Sequence, residues 1–169
     1  MSNKISPIYI ETSKSLRETL KEHFKSINEL PIKGGWGYNK NDSIVIDKND
    51  IVVNSELPFN GIGIEHVILE YRLYEELIIF RATNKKFAGI RWKVKKQSLI
   101  GGSNRKYDHI VVEASAHKKE EFEHLKLDYE NGRNDHNFNM AEHMRKHEAL
   151  KYFYESEYWF DITSFYGLK

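Results

Sequence analysis

Residues 87–99 read FAGIRWKVKKQSL, and they alternate. Ile90, Trp92 and Val94 fall on one face of an extended chain and Arg91, Lys93 and Lys95 on the other, because successive side chains of a strand point to opposite faces. Residues 101–106, GGSNRK, make a turn-rich break. The alternation then resumes, with Ile110, Val112 and Ala114 opposite Val111, Glu113 and Ser115. A hairpin register that sets Leu99 against Tyr107 also sets Lys93 against Glu113, an ordinary cross-strand ion pair. Residues 77–80, LIIF, read as an earlier strand covered on both faces, with 83–86 as the connecting hairpin loop. The expectation is an antiparallel meander over residues 77–116, with Ile79, Ile90, Trp92, Ile110 and Val112 buried.

Outward from that core the signals change period. Leu16, Leu20, Phe24 and Ile27 recur at helical spacing, and Ser15 with Glu18 three residues on is a capping box, so a helix is expected over 16–27. Residues 8–10 and 51–53 read as short strands and 43–47 as a longer one. Residues 64–74 fit a helical stripe (Ile64, Val67, Ile68, Tyr71, Tyr74) and an alternating strand equally well. Beyond the meander, Phe122, Leu125 and Tyr129 define a helix ended by Asn131-Gly132. Asn139 with Glu142 caps a second helix, expected to reach about residue 156, and the aromatic tail 158–166 should dock as a final strand or ordered turn. The reading is α+β: an antiparallel β-meander packed with an N-terminal helix and two C-terminal helices, one domain over 1–169.

Composition removes several classes. The chain has 169 residues, 40% hydrophobic and 13% aromatic, enough for a packed core. Absence of cysteine excludes a disulfide framework, a thiolate metal site and a cysteine nucleophile. No run approaches the ~18 apolar residues of a membrane span, and no signal-peptide pattern opens the chain, so the expected setting is the cytoplasm with no membrane partner. Twenty-six Lys and Arg against 25 Asp and Glu give a net charge of +1, so any anion-binding role has to come from a local patch. The abundance of Lys, Asn and Ile suits an AT-rich bacterial or phage genome.

Three stretches propose chemistry. His143 and His147, four apart on one helical face, have the spacing of two metal ligands, with His136 or Asp135 as a third; the glutamate of a His-Glu-x-x-His motif is replaced by Met144, and the same residues also fit the border of a packed face. A divalent ion at that pair is the one cofactor the sequence proposes. Arg91, Lys93 and Lys95 form a basic strand face that would suit nucleic acid, except that Trp92 lies on the opposite face, so ring and cations share no platform. Lys33–Tyr38, KGGWGY, carries two rings between glycines but lacks the Gly-Lys-Ser/Thr ending of a phosphate loop. Trp36 and Tyr38, with Tyr158 and Tyr166, are the expected binding surface, because aromatic residues anchor interfaces. Glu75-Glu76 and Glu120-Glu121 are adjacent and read as solvated charge. The function these features favour is a small cytoplasmic protein-binding domain, of the toxin-neutralising or defence-accessory kind, with a protein partner and no evident catalytic motif. The alternatives are a metal-dependent hydrolase or nuclease using His143 and His147, and a nucleic-acid-binding sheet.

Overall fold

A computed structural model of the chain describes residues 3–168. In chain order the elements are β1 (Asn3–Lys4), α1 (Leu16–His23), β2 (Ile32–Gly34), β3 (Ile44–Ile46), α2 (Gly61–Tyr74), β4 (Phe87–Gly101), β5 (Lys106–Lys118), α3 (Lys119–Gly132), α4 (Met140–Ala149) and β6 (Tyr152–Asp161). The fold is α+β, with a mixed, mostly antiparallel six-stranded sheet and helices towards both ends of the chain. The sheet order is β2-β3-β6-β5-β4, and β1 pairs with β6. The chain divides into two compact units, each made of three segments.

The first unit comprises Met1–Tyr9, Tyr74–Lys93 and Glu113–Glu155. β1 joins β6 in parallel, Asn3 opposite Tyr152. Ile5, Leu77, Phe87, Ala114, Leu125 and Tyr154 are its buried apolar residues of note. Residues 77–80 are not a strand. Residues 77–79 belong to a π-helical turn, Glu75–Ile79, which Phe80 ends, and a short 3-10 turn, Thr83–Lys85, replaces the expected hairpin loop. The wider turn leaves Glu75 and Glu76 fully buried, against the expectation of solvated charge; Glu76 accepts a hydrogen bond from the Tyr154 hydroxyl at 2.9 Å. The Asn139 cap forms as expected, its side chain accepting from the Glu142 N–H at 3.0 Å. α4 nonetheless stops at Ala149, well short of residue 156. From Tyr152 the chain alternates with period two: Tyr154 is buried, Phe153 and Glu155 are exposed.

The second unit comprises Ile10–Leu73, Val94–Val112 and Ser156–Lys169. Ser15 and Glu18 form the capping box at the start of α1, and Leu16 and Leu20 are buried. α1 ends at His23 rather than residue 27 because Phe24 leaves helical geometry (φ −120°, ψ 67°). Arg17 holds the helix to the turn after β3 through a two-pronged bond to Asp50, at 2.6 and 3.2 Å. β3 is the expected strand; it pairs antiparallel with β2 and parallel with β6, Ile44 opposite Phe160. Residues 8–10 and 51–53 are not strands.

The ambiguous segment 64–74 is helix, and its inner stripe is Glu65, Ile68, Leu69, Arg72 and Leu73, all buried. Val67 faces out at 37% exposure. Two ionisable residues on the inward face are why the hydrophobic pattern there had no clear period.

In the expected core, Ile110 and Val112 are fully buried, whereas Ile79, Ile90 and Trp92 are half-buried. β4 is the terminal strand of the sheet, so its inner face is covered from one side only. Ile110→Ala should therefore cost about 2–5 kcal/mol and Trp92→Ala on the order of 1–2 kcal/mol, measured by urea denaturation. A larger loss at Trp92 than at Ile110 would show that the strand register is wrong.

Candidate functional site

The glycine loop of the second unit is tied down by backbone bonds: Gly35 N–H to Ser43 O at 2.9 Å, Gly37 N–H to Asp42 O at 2.7 Å, and Trp159 N–H to Gly37 O at 2.9 Å. Gly37 has φ +84°, and a Cβ there would meet the Ile44 side chain at 3.0 Å, so both conformation and space call for glycine. This places Trp36 and Tyr38 over Arg72. The guanidinium carbon lies 5.0 Å from the Trp36 ring centre, 5.1 Å from Tyr38 and 5.5 Å from Tyr158, and Arg72 is fully buried. The Tyr38 hydroxyl also accepts from Ile10 N–H at 2.8 Å. Three of the four aromatic candidates thus close around a buried cation. Trp36 and Tyr38 are half-buried and Tyr158 is buried; Tyr166 is 47% exposed, with the Lys106 ammonium 5.5 Å from its ring.

The same unit buries a carboxyl pair. Glu65 of α2 and Asp108 of β5 are 1% and 9% exposed. Gln97 donates to Asp108 at 3.0 Å, while neither Glu65 oxygen meets a hydrogen-bond donor. Burial pushes the Glu65 carboxyl up to about 8, helped by the charge of Asp108. Glu65 therefore keeps its proton at neutral pH beside Asp108. Forty-three positions separate the two residues in the chain, so no spacing motif could have found them.

In the first unit the histidine candidates line a cleft of about 430 Å³ between strand residues (Ile90, Arg91, His117) and helix residues (Phe122, Met144, His147). His143 lines it too, in ring contact with Tyr129 at 5.8 Å. His136 is exposed and lies outside the cleft. In its place stands His117, which reading the last helix alone missed because it arrives from β5. Its Nε2 donates to the His147 carbonyl oxygen at 2.9 Å. The two rings are 4.3 Å apart, and both Nδ1 atoms are buried without a partner. Burial first, and then His117, pull the His147 pKa down, which keeps it neutral at pH 7. Among the described residues no three His, Asp or Glu side chains come together as a metal-holding group.

The basic row is solvent-facing. Arg91, Lys93 and Lys95 are exposed, and Trp92 lies on the other face. Lys93 meets Glu113 at 3.5 Å, the pairing the register implies. Lys96 and Gln97 extend the exposed run.

Net charge understates the outer surface. Among the described residues Glu65, Glu75, Glu76, Asp108 and Asp161 are buried, against Arg72 alone among the Lys and Arg. The solvated exterior is therefore more cationic than +1.

Comparison with protein-family models, curated proteins and solved structures finds no match for this chain.

The carboxyl pair gives a pH signature. Glu65 is protonated in the fold up to about pH 8 but only to its ordinary 4.5 when unfolded. Its contribution to stability is thus full below 4.5 and is lost as pH rises to about 8, a change on the order of 3–5 kcal/mol. Glu65→Gln should flatten the fall of melting temperature across that window, and an unchanged pH profile would place the proton elsewhere.

Proposed function

We propose that this chain is a small cytoplasmic protein-binding domain of the accessory, toxin-neutralising or defence-related kind. Its contact surface is the exposed edge of β4, and its partner offers an acidic, extended segment. The observation that carries this reading is the position of β4. It is 15 residues long, and among the described residues β5 is its one neighbour in the sheet, so one row of its N–H and C=O groups has no described strand beside it. Such an edge is a template for another chain unless charge or cover protects it, and strand addition is a recurring mode of peptide recognition.

The cations decide the partner's sign. Arg91, Lys93, Lys95 and Lys96 are all exposed along this strand. An uncharged or basic strand would be repelled or left unsteered, whereas an acidic one gains both charge pairing and faster encounter. The Lys93–Glu113 pair, 73% and 36% exposed, is a surface ion pair of small worth and yields to a competing carboxylate. The aromatic residues first picked out for binding support a partner less directly. Trp36, Tyr38 and Tyr158 are engaged with Arg72, and Tyr166 is the exposed member. For the hydrolase alternative, His143 and His147 lack a third ligand from His, Asp or Glu among the described residues.

The test is a capture experiment on the full chain and on Lys93→Glu/Lys95→Glu. The wild-type chain should retain a specific acidic protein that 0.5 M salt releases (about 4 Å screening length). The double variant should bind that protein at least ~10-fold more weakly, mostly through a slower on-rate. Equal affinity of the two chains, or recovery of nucleic acid in place of protein, would remove β4 as the partner surface.

A further inference from the structure

The first unit contains a second cavity, of about 720 Å³, that none of the sequence motifs touches. Four cationic side chains line it, Lys4, Arg81, Lys85 and Lys118, and no acidic residue does. Three aromatic rings line it beside them, Phe80, Phe87 and Tyr152, the last two in edge-to-face contact at 5.8 Å. Cations and rings therefore share one concavity here, the combination that β4 lacks because its alternation sends Trp92 away from Arg91 and Lys93.

The positions are built rather than incidental. Arg81 is half-buried and fixed by two backbone acceptors, Nε to Glu76 O at 2.7 Å and a terminal nitrogen to Ser6 O at 2.8 Å, which use two of its five N–H donors. Its guanidinium sits 5.3 Å from the Phe87 ring centre. The Lys118 ammonium sits 5.3 Å from the Tyr152 ring centre. Lys4 and Lys85 are exposed at the mouth. Glu76 acts on Arg81 and Glu121 on Lys118 from outside the lining, but Lys4 and Lys85 add two further cations, so the concavity keeps an excess of positive charge that a ligand with several negative charges relieves. The rings and the neighbouring Ile5 and Ile8 suit a flat apolar group joined to those charges. The volume lies in the ~300–1,000 Å³ range of small-molecule sites.

We propose that this cavity binds a nucleoside phosphate, with the phosphates at Lys85, Lys118 and Arg81 and the base against Phe87 and Tyr152. A bounded cavity favours a mononucleotide over a strand, whose backbone would need cations along a continuous groove. The site shares Phe87 with β4 but none of Arg91, Lys93, Lys95 or Lys96, so either proposal can fail alone.

Isothermal titration of the full chain at low salt decides it, with ATP, AMP, adenosine, inorganic tripolyphosphate and a single-stranded oligo-dT as probes. ATP should bind one per chain, at least ~10-fold tighter than tripolyphosphate or adenosine, because charge and stacking act together. Lys85→Glu, in an exposed turn that leaves the fold intact, should weaken ATP by about 10-fold. Tyr152→Leu should weaken ATP by about 5-fold while leaving tripolyphosphate unchanged. Circular dichroism of each variant establishes that it is folded. Absence of ATP binding, tripolyphosphate binding as tight as ATP, oligo-dT binding at least ~10-fold tighter than ATP, or indifference to Lys85→Glu would each overturn the assignment.

Discussion

Arg72 carries its charge into the interior of the second unit, where it has no exposed surface at all. A guanidinium stays ionised under any condition in which the chain is folded, so the surroundings must be arranged to hold it. Three rings are: Trp36 and Tyr38 from the glycine loop and Tyr158 from β6, each with its centre 5.0–5.5 Å from the guanidinium carbon. That requirement sets the course of the loop. Gly37 takes φ +84° close against Ile44, and its carbonyl accepts from Trp159, so the loop is stitched to the strand that supplies the third ring. It also sets the face of α2, since Arg72 can be inward only if Ile68, Leu69 and Leu73 are inward with it. Glu65, nearly two turns earlier on the same stripe, is then carried inside and must keep its proton.

Interior charge explains what the sequence disclosed and what it hid. The β4–β5 hairpin was legible because its alternation is clean, and a register of Leu99 against Tyr107 implies the Lys93–Glu113 pair that forms at 3.5 Å. The caps at Ser15 and Asn139 were legible because capping depends on residue type at fixed offsets. α2 was not, because Glu65 and Arg72 interrupt the apolar stripe on which periodicity rests. The π-helical turn after it was read as a strand from the apolar run 77–80, and its two glutamates were read as solvated for the same reason: a buried acid has no sequence signature. The start of β6 was lost to α4, because Leu150 and Tyr154 stand four apart and mimic a helical stripe.

The sites follow the same division. His143 and His147 do share a cleft, as their spacing implied, but the nearest partner of His147 is His117 from β5. The Glu65–Asp108 pair and the cavity around Lys118 and Tyr152 each join distant parts of the chain. Near-zero net charge also misled, since the acids are disproportionately inside and the cations are displayed on β4 and around that cavity.

The Trp-Gly-Tyr loop is built around a buried cation. Equilibrium urea denaturation of Arg72→Lys, followed by tryptophan fluorescence, tests it most directly. Lysine keeps the charge but loses the flat face that stacks on three rings. The variant should fold but be less stable by about 2 kcal/mol or more, with altered emission from Trp36. A variant with wild-type midpoint and emission would mean that the rings do not depend on the guanidinium.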